Sequence, residues 1–129
     1  MNSSNNFGDA LMTNSRSKGK RGELEFVRLC RDEGFDARRT AQYCGNSGEA
    51  ADVVGLPGIH VEVKRVETLN VEKAMQQARR DAGKSGRVPI VAHRRNGEKW
   101  KITMDAADWF ALYRESELLN SEVRENEQK

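Results

Sequence analysis

The stretch Asp52-Val53-Val54-Gly55-Leu56-Pro57-Gly58-Ile59-His60-Val61-Glu62-Val63-Lys64 decides the fold. Ile59 to Lys64 alternates apolar and polar. As a strand it turns Ile59, Val61 and Val63 to one face and His60, Glu62 and Lys64 to the other. Pro57-Gly58 marks a turn, since proline presets its φ and glycine tolerates a positive one. A hairpin is the natural reading. With a three-residue loop, Gly55 pairs with Ile59 and Asp52 falls opposite Glu62, on the same face and roughly 5 Å away at Cβ. A two-residue loop would instead put Asp52 opposite Val63 on the wrong face, so the reading depends on register.

Two carboxylates that close repel each other, and one pKa rises unless a cation sits between them. Mg²⁺ suits the gap. It takes hard oxygen ligands and keeps several waters, so one or two carboxylates, a backbone carbonyl and a substrate phosphate complete its shell. Lys64 reaches the attacking water or a phosphate oxygen. A Glu-x-Lys pair alone is ordinary exposed-strand charge; the turn and Asp52 lift the pattern above that background.

The rest of the chain narrows the class. Its 129 residues give room for one domain with a modest core. No stretch has the apolar length of a membrane span, and residues 1–17 lack the apolar block of a signal peptide, so a cytoplasmic protein without a membrane partner is expected. Cys30 and Cys44 form no Cys-x-x-Cys pair, which leaves both as reduced thiols rather than zinc ligands or a disulfide framework. The net charge of +2 hides an asymmetry: residues 115–129 carry five Glu against Arg124 and Lys129, a balance of −3 that leaves +5 for residues 1–114. Basic residues recur along the body, among them Lys18, Lys20, Arg21, Arg39, Arg65 and Arg80. Such spacing could track a nucleic-acid backbone, though solvated surface also looks like this. No P-loop is present, and His60 and His93 are too few for a histidine-metal nuclease. His60 shares a face with Glu62 and reads as polar surface or a substrate contact.

Along the chain, residues 1–17 are aperiodic and read as a flexible arm. Lys18 to Glu33 has helical spacing, stopped by Gly34. Phe35 to Thr40 is a first strand, and Ala41 to Ala50 a flexible loop. After the hairpin, Asn70 caps a helix whose stripe is Val71, Ala74, Met75, Ala78 and Ala82. Val88 to His93 is a strand, joined through Asn96-Gly97 to Lys99–Met104. Asp105 caps a third helix from Ala106 to about Leu119, in which Trp109, Leu112 and Tyr113 look like packing residues. Trp109 and Phe110 could serve the core or an interface, with the core favoured. The expected fold class is α/β, a mixed five-stranded sheet flanked by helices. The expected division is an arm at 1–17, a catalytic domain at 18–119 and an acidic tail at 120–129.

Lys18-Gly19, Glu23 and Glu25 on a first helix, then Gly34-Phe35, Arg39-Thr40, Asp52-Val53-Val54 and Glu62-Val63-Lys64, together resemble the PD-(D/E)xK nuclease superfamily. The closest likeness is to the small Holliday junction resolvases of archaea and phages. The resemblance covers roughly residues 18–104, with Ala51 where the motif has proline. It implies a restriction-endonuclease-like core and a role in DNA recombination or repair. Asp52 and Glu62 match its metal-binding acids, Lys64 its motif lysine, and Glu23 the first-helix acid. Arg39 and Thr40 match a segment that approaches DNA. Gln77 resembles a glutamine that follows the motif in related nucleases, with Gln76 as eligible.

From this follows an expected mechanism. Asp52, Glu62 and the Val63 carbonyl hold Mg²⁺, with Mn²⁺ as a substitute, and Glu23 helps place a second ion or its water. Lys64 orients the attacking hydroxide and counters developing charge. The expected DNA contacts are Lys18, Lys20, Arg21, Arg39, Thr40, Arg65, Gln77 and Arg80. The expected activity is a Mg²⁺-dependent, structure-selective endodeoxyribonuclease acting on four-way junctions. Paired cuts on such a junction require two sites, hence a homodimer. Two competing readings are another DNA nuclease on the same fold (restriction, mismatch or repair type) and a non-cutting DNA-binding module.

Overall fold

The computed structural model describes residues 3–40 and 51–128, and side chains within 18–40 and 51–128. Among the described residues, four α-helices accompany one sheet of order β1-β2-β3-β4-β5. The elements are α1 Ser3–Asp32, β1 Arg38–Arg39, β2 Val53–Val54, β3 Ile59–Arg65, α2 Val71–Ala82, β4 Val88–Arg94, β5 Lys101–Met104, α3 Ala106–Glu115 and α4 Glu117–Gln128. β1/β2, β2/β3 and β4/β5 are antiparallel, and β3/β4, joined across α2, is parallel. This is the mixed five-stranded α/β sheet expected from the element order.

The hairpin forms as the Pro-Gly signal predicts. Ile59 N–H donates to the Leu56 carbonyl at 3.1 Å, and Gly58 has φ +81° at the third turn position, where a type II turn needs glycine. Val53 pairs with Val61, which is the three-residue-loop register, so Asp52 stands opposite Glu62. Gly55 has φ +106°, and a Cβ there would lie 2.2 Å from the Asp36 carbonyl oxygen; only glycine lets β2 pass the chain entering β1 this closely.

β3 is covered on both faces. Val61 and Val63 join Phe26, Val27 and Cys30 of α1 in the larger core cluster. Ala74, Met75 and Ala78 of α2 pack with Val91 of β4 in a second. α1 reaches the sheet at Gly22, where a Cβ would lie 2.5 Å from Arg65 Cβ. It ends in a Schellman motif, with Gly34 N–H bonded to the Arg31 carbonyl and Phe35 N–H to the Cys30 carbonyl, and Gly34 at φ +95°. Asn70 Oδ1 accepts from Lys73 N–H at 3.0 Å, the expected cap of α2.

Several boundaries differ from expectation. α1 begins at Ser3 rather than Lys18; the segment before Lys18 has no proline, and extending an existing helix costs far less than nucleating one. The first strand shrinks from Phe35–Thr40 to Arg38–Arg39, because Gly34 and Phe35 are used to close the helix. The Asn96-Gly97 turn is not the two-residue type: Asn96 keeps a negative φ, only Gly97 is positive, and β5 starts at Lys101 instead of Lys99. The third helix breaks at Ser116, which is extended and whose Oγ accepts from Leu119 N–H at the start of α4. Asp105 stands at the N-cap of α3, but its carboxylate bonds Arg79 at 2.6 and 2.9 Å rather than the helix amides. Trp109 and Leu112 do not pack into the core: each is 48% exposed, and α3 buries no residue. The Ala41–Ala50 loop and Cys44 lie outside the described residues. Cys30 is a buried free thiol, and its burial pushes its pKa up.

Candidate active site

At the edge where β2 meets β3, Asp52, Glu62, Val63, Lys64, Glu23 and Gln77 line one cavity of about 530 Å³. β3 supplies Glu62 and Lys64 from alternate positions, the hairpin brings Asp52 across, α1 passes Glu23 over the opening and α2 adds Gln77. Asp52 Oδ2 accepts from Val63 N–H at 2.9 Å, which fixes its carboxylate against the strand. Lys64 Nζ donates to Gln77 Oε1 at 3.1 Å. Between the two eligible glutamines the fold selects Gln77, because Gln76 is exposed.

The electrostatics are those of an undercompensated acidic pair. Burial, then the charge of Glu62, push the Asp52 carboxyl up to about 7, against the Val63 N–H and Lys64, which act the other way. Glu23 is also raised, first by burial and then by the Asp52 charge, despite a 2.7 Å hydrogen bond from Arg39 Nε. Glu62 is 1% exposed, and its Oε1 lies 3.1 Å from Nε2 of His60, itself 2% exposed. The expectation that His60 is polar surface is therefore corrected: α2 covers that face of β3.

A divalent ion fits this donor set. Among the described residues no three His, Cys, Asp or Glu side chains converge into a closed cage. Two hard carboxylates beside open space match the sparse protein shell that Mg²⁺ accepts, and a cation there would offset both the burial and the Glu62 charge that raise Asp52. Glu23 borders the same cavity with its carboxylate tied to Arg39.

The expected DNA contacts divide. Lys18 lines the cavity, and Lys20 and Arg21 are exposed on the same stretch of α1. Arg39 is bound to Glu23, and Thr40 Oγ1 donates to the Ala51 carbonyl at 2.6 Å, bracing β1 against the Asp52 segment. Arg65 donates to Asn96 Oδ1 at 2.8 Å and lies 3.5 Å from Glu25. Glu25 also bonds Arg94 and accepts from Trp100 Nε1 at 3.1 Å, so it clamps α1 to β3, to β4 and to the residue preceding β5. Arg80 is exposed and does not line the cavity. A second cavity of about 530 Å³ beside the hairpin is lined by Arg38, Arg39, Thr40 and Arg87. The burial of His60 and the pairing of Glu23 with Arg39 are the candidate-site features that the sequence does not predict. The alternation of β3 was the available signal for His60, but nothing local marks the ion pair.

No family model matches this chain, and no curated protein matches it in sequence. Among solved structures it is similar to Hjc of Archaeoglobus fulgidus, a Holliday junction resolvase from an archaeal hyperthermophile. The TM-score is 0.52 at 24% identity, over 67% of this chain and 72% of that one. The two chains share a fold. The resemblance seen in the motifs is thus matched by the arrangement of helices and strands. Among the described residues no helix is long and apolar enough to cross a membrane.

Proposed function

We propose that the protein is a divalent-metal-dependent, structure-selective endodeoxyribonuclease that resolves four-way DNA junctions. The observation that carries this reading is the pairing of half-buried Asp52 with buried Glu62, with Lys64 beside them in one cavity. Asp52, Glu62 and the Val63 carbonyl are the groups to hold the ion, and Glu23 stands by for a second ion or its water. When bound, Mg²⁺ or Mn²⁺ supplies Lewis acidity at the scissile phosphate and lowers the pKa of water. Lys64, steadied by Gln77, places its ammonium where the attacking water and the growing phosphoryl charge meet. Val63 N–H keeps the Asp52 carboxylate from turning away. Lys18, Lys20 and Arg21 on α1, with the arginines beside the hairpin, give the basic surface for the phosphate backbone on either side of the cavity.

Paired cuts need two sites, and we assign the second to another copy of this chain. The exposed Trp109, Phe110 and Leu112 of α3, with Leu118 and Val123 of α4, offer the apolar surface for that contact. Trp109 stacks on Tyr113 with ring centroids 5.2 Å apart, which keeps this surface ordered.

The test is cleavage of a synthetic four-way junction, with linear duplex, flap and mismatched duplex alongside, in Mg²⁺ and in EDTA. Paired, Mg²⁺-dependent cuts in the junction are expected. Faster cutting of plain or mismatched duplex would move the protein to another nuclease class on this fold, and binding without cutting in any metal would make it a binding module.

A further inference from the structure

Among the described residues the only buried polar side chains are His60 and Glu62, and they are also the largest fully buried ones. A buried imidazole and a buried carboxylate each lose solvation that an apolar residue would not, so a chain built for stability alone would place Val or Leu beneath α2. The two residues are two apart on one strand, so they share a face, and the 3.1 Å contact joins His60 Nε2 to Glu62 Oε1. A metal-ligating carboxylate only accepts, so in that role Glu62 needs the hydrogen on Nε2 of His60. α2 closes over this face with Ala74, Ala78 and Met75, small or pliable side chains that leave no competing polar partner in their cluster.

We propose that His60 is a positioning residue: its Nε2–H holds Oε1 of Glu62, and so presents the other oxygen of that carboxylate to the cavity shared with Asp52, where a divalent cation binds. This inference rests on the metal-nuclease reading above. His60 touches neither substrate nor ion; it acts through Glu62, as the outer partners of metal ligands do, and loss of such a partner costs roughly 10–100-fold in metal affinity.

The experiment measures Mn²⁺ binding to the uncut, DNA-free protein by electron paramagnetic resonance of the free ion, for wild type, His60→Leu, His60→Gln and His60→Asn. Thermal unfolding in EDTA serves as the folding control. Glutamine extends an amide donor to about the reach of Nε2, asparagine falls short, and leucine has none. Wild-type affinity in His60→Gln, with a loss of roughly 10–100-fold in His60→Leu, is expected. Unchanged affinity in a folded His60→Leu would overturn the proposal. If His60→Leu does not fold, the comparison of His60→Gln with His60→Asn decides: a weaker His60→Asn supports the proposal and equal affinities overturn it. Wild type that binds no Mn²⁺ would remove the metal-nuclease reading itself, an outcome distinct from wild type that binds while the His60 variants bind equally well.

Discussion

Asp52→Asn separates what the fold wants from what the site wants. In the metal-free protein, burial and the neighbouring Glu62 charge push the Asp52 carboxyl from its ordinary 3.8 up to about 7. Between those values the native chain holds a proton that the unfolded chain has released. The stability belonging to the protonated carboxyl is therefore complete below about pH 4 and lost as pH climbs through about 7. A shift of about three units corresponds to on the order of 4 kcal/mol, an upper value because solvent enters the cavity. Asparagine keeps an oxygen for Val63 N–H and adds an N–H that Glu62 can accept, so the substitution removes the charge without removing the bonding.

In EDTA at pH 8, Asp52→Asn is therefore expected to gain roughly 2–4 kcal/mol, a rise in melting temperature on the order of 10 °C for a domain of this size. At pH 4 the two proteins should melt together. Mg²⁺ should raise the melting point of wild type and not that of the variant, because ligand linkage requires the site. Differential scanning calorimetry at four pH values, with and without Mg²⁺, measures all of this, and junction cleavage by the variant should be undetectable. A variant that is less stable than wild type at pH 8, or a difference that does not change with pH, refutes the argument that the carboxylate pair is held against the preference of the fold.

Other perturbations test other parts of the site. Lys64→Ala should abolish cutting while gel-shift affinity for the junction holds. Gln77→Ala, which removes the acceptor at Lys64 Nζ, should slow single-turnover cutting about tenfold or more; equal rates would leave Gln77 a bystander. Gly55→Ala should cost at least about 2 kcal/mol in urea unfolding, since φ +106° and a 2.2 Å approach to the Asp36 carbonyl leave no place for a methyl group. The double variant Trp109→Ser/Leu112→Ser should sediment as a monomer and lose paired cleavage, and a dimer that persists would move the interface elsewhere.

What the sequence reveals and what it hides divides along covalent distance. Asp52 opposite Glu62 was legible as one of the two registers that a period-two strand and a Pro-Gly turn allow, and the three-residue loop is the one that forms. Lys64 follows from the same alternation. The burial of His60 was not legible: whether a strand's second face meets water depends on what covers it, and the stripe of α2 identifies an apolar face without naming the strand beneath. The same limit applies to α3, whose Trp109 and Leu112 pattern says that something must cover them and not that the covering lies in the same chain. The Glu23–Arg39 pair spans sixteen positions and two elements. It joins α1 to β1, a packing seen only in three dimensions. Both partners were readable as functional residues one at a time, since an acid near the site and an arginine near DNA each have local motif neighbours. That each is the other's partner is a property of the crossing of α1 over the sheet, and it makes the charge around Asp52 a joint product of four elements rather than of the motif strand alone.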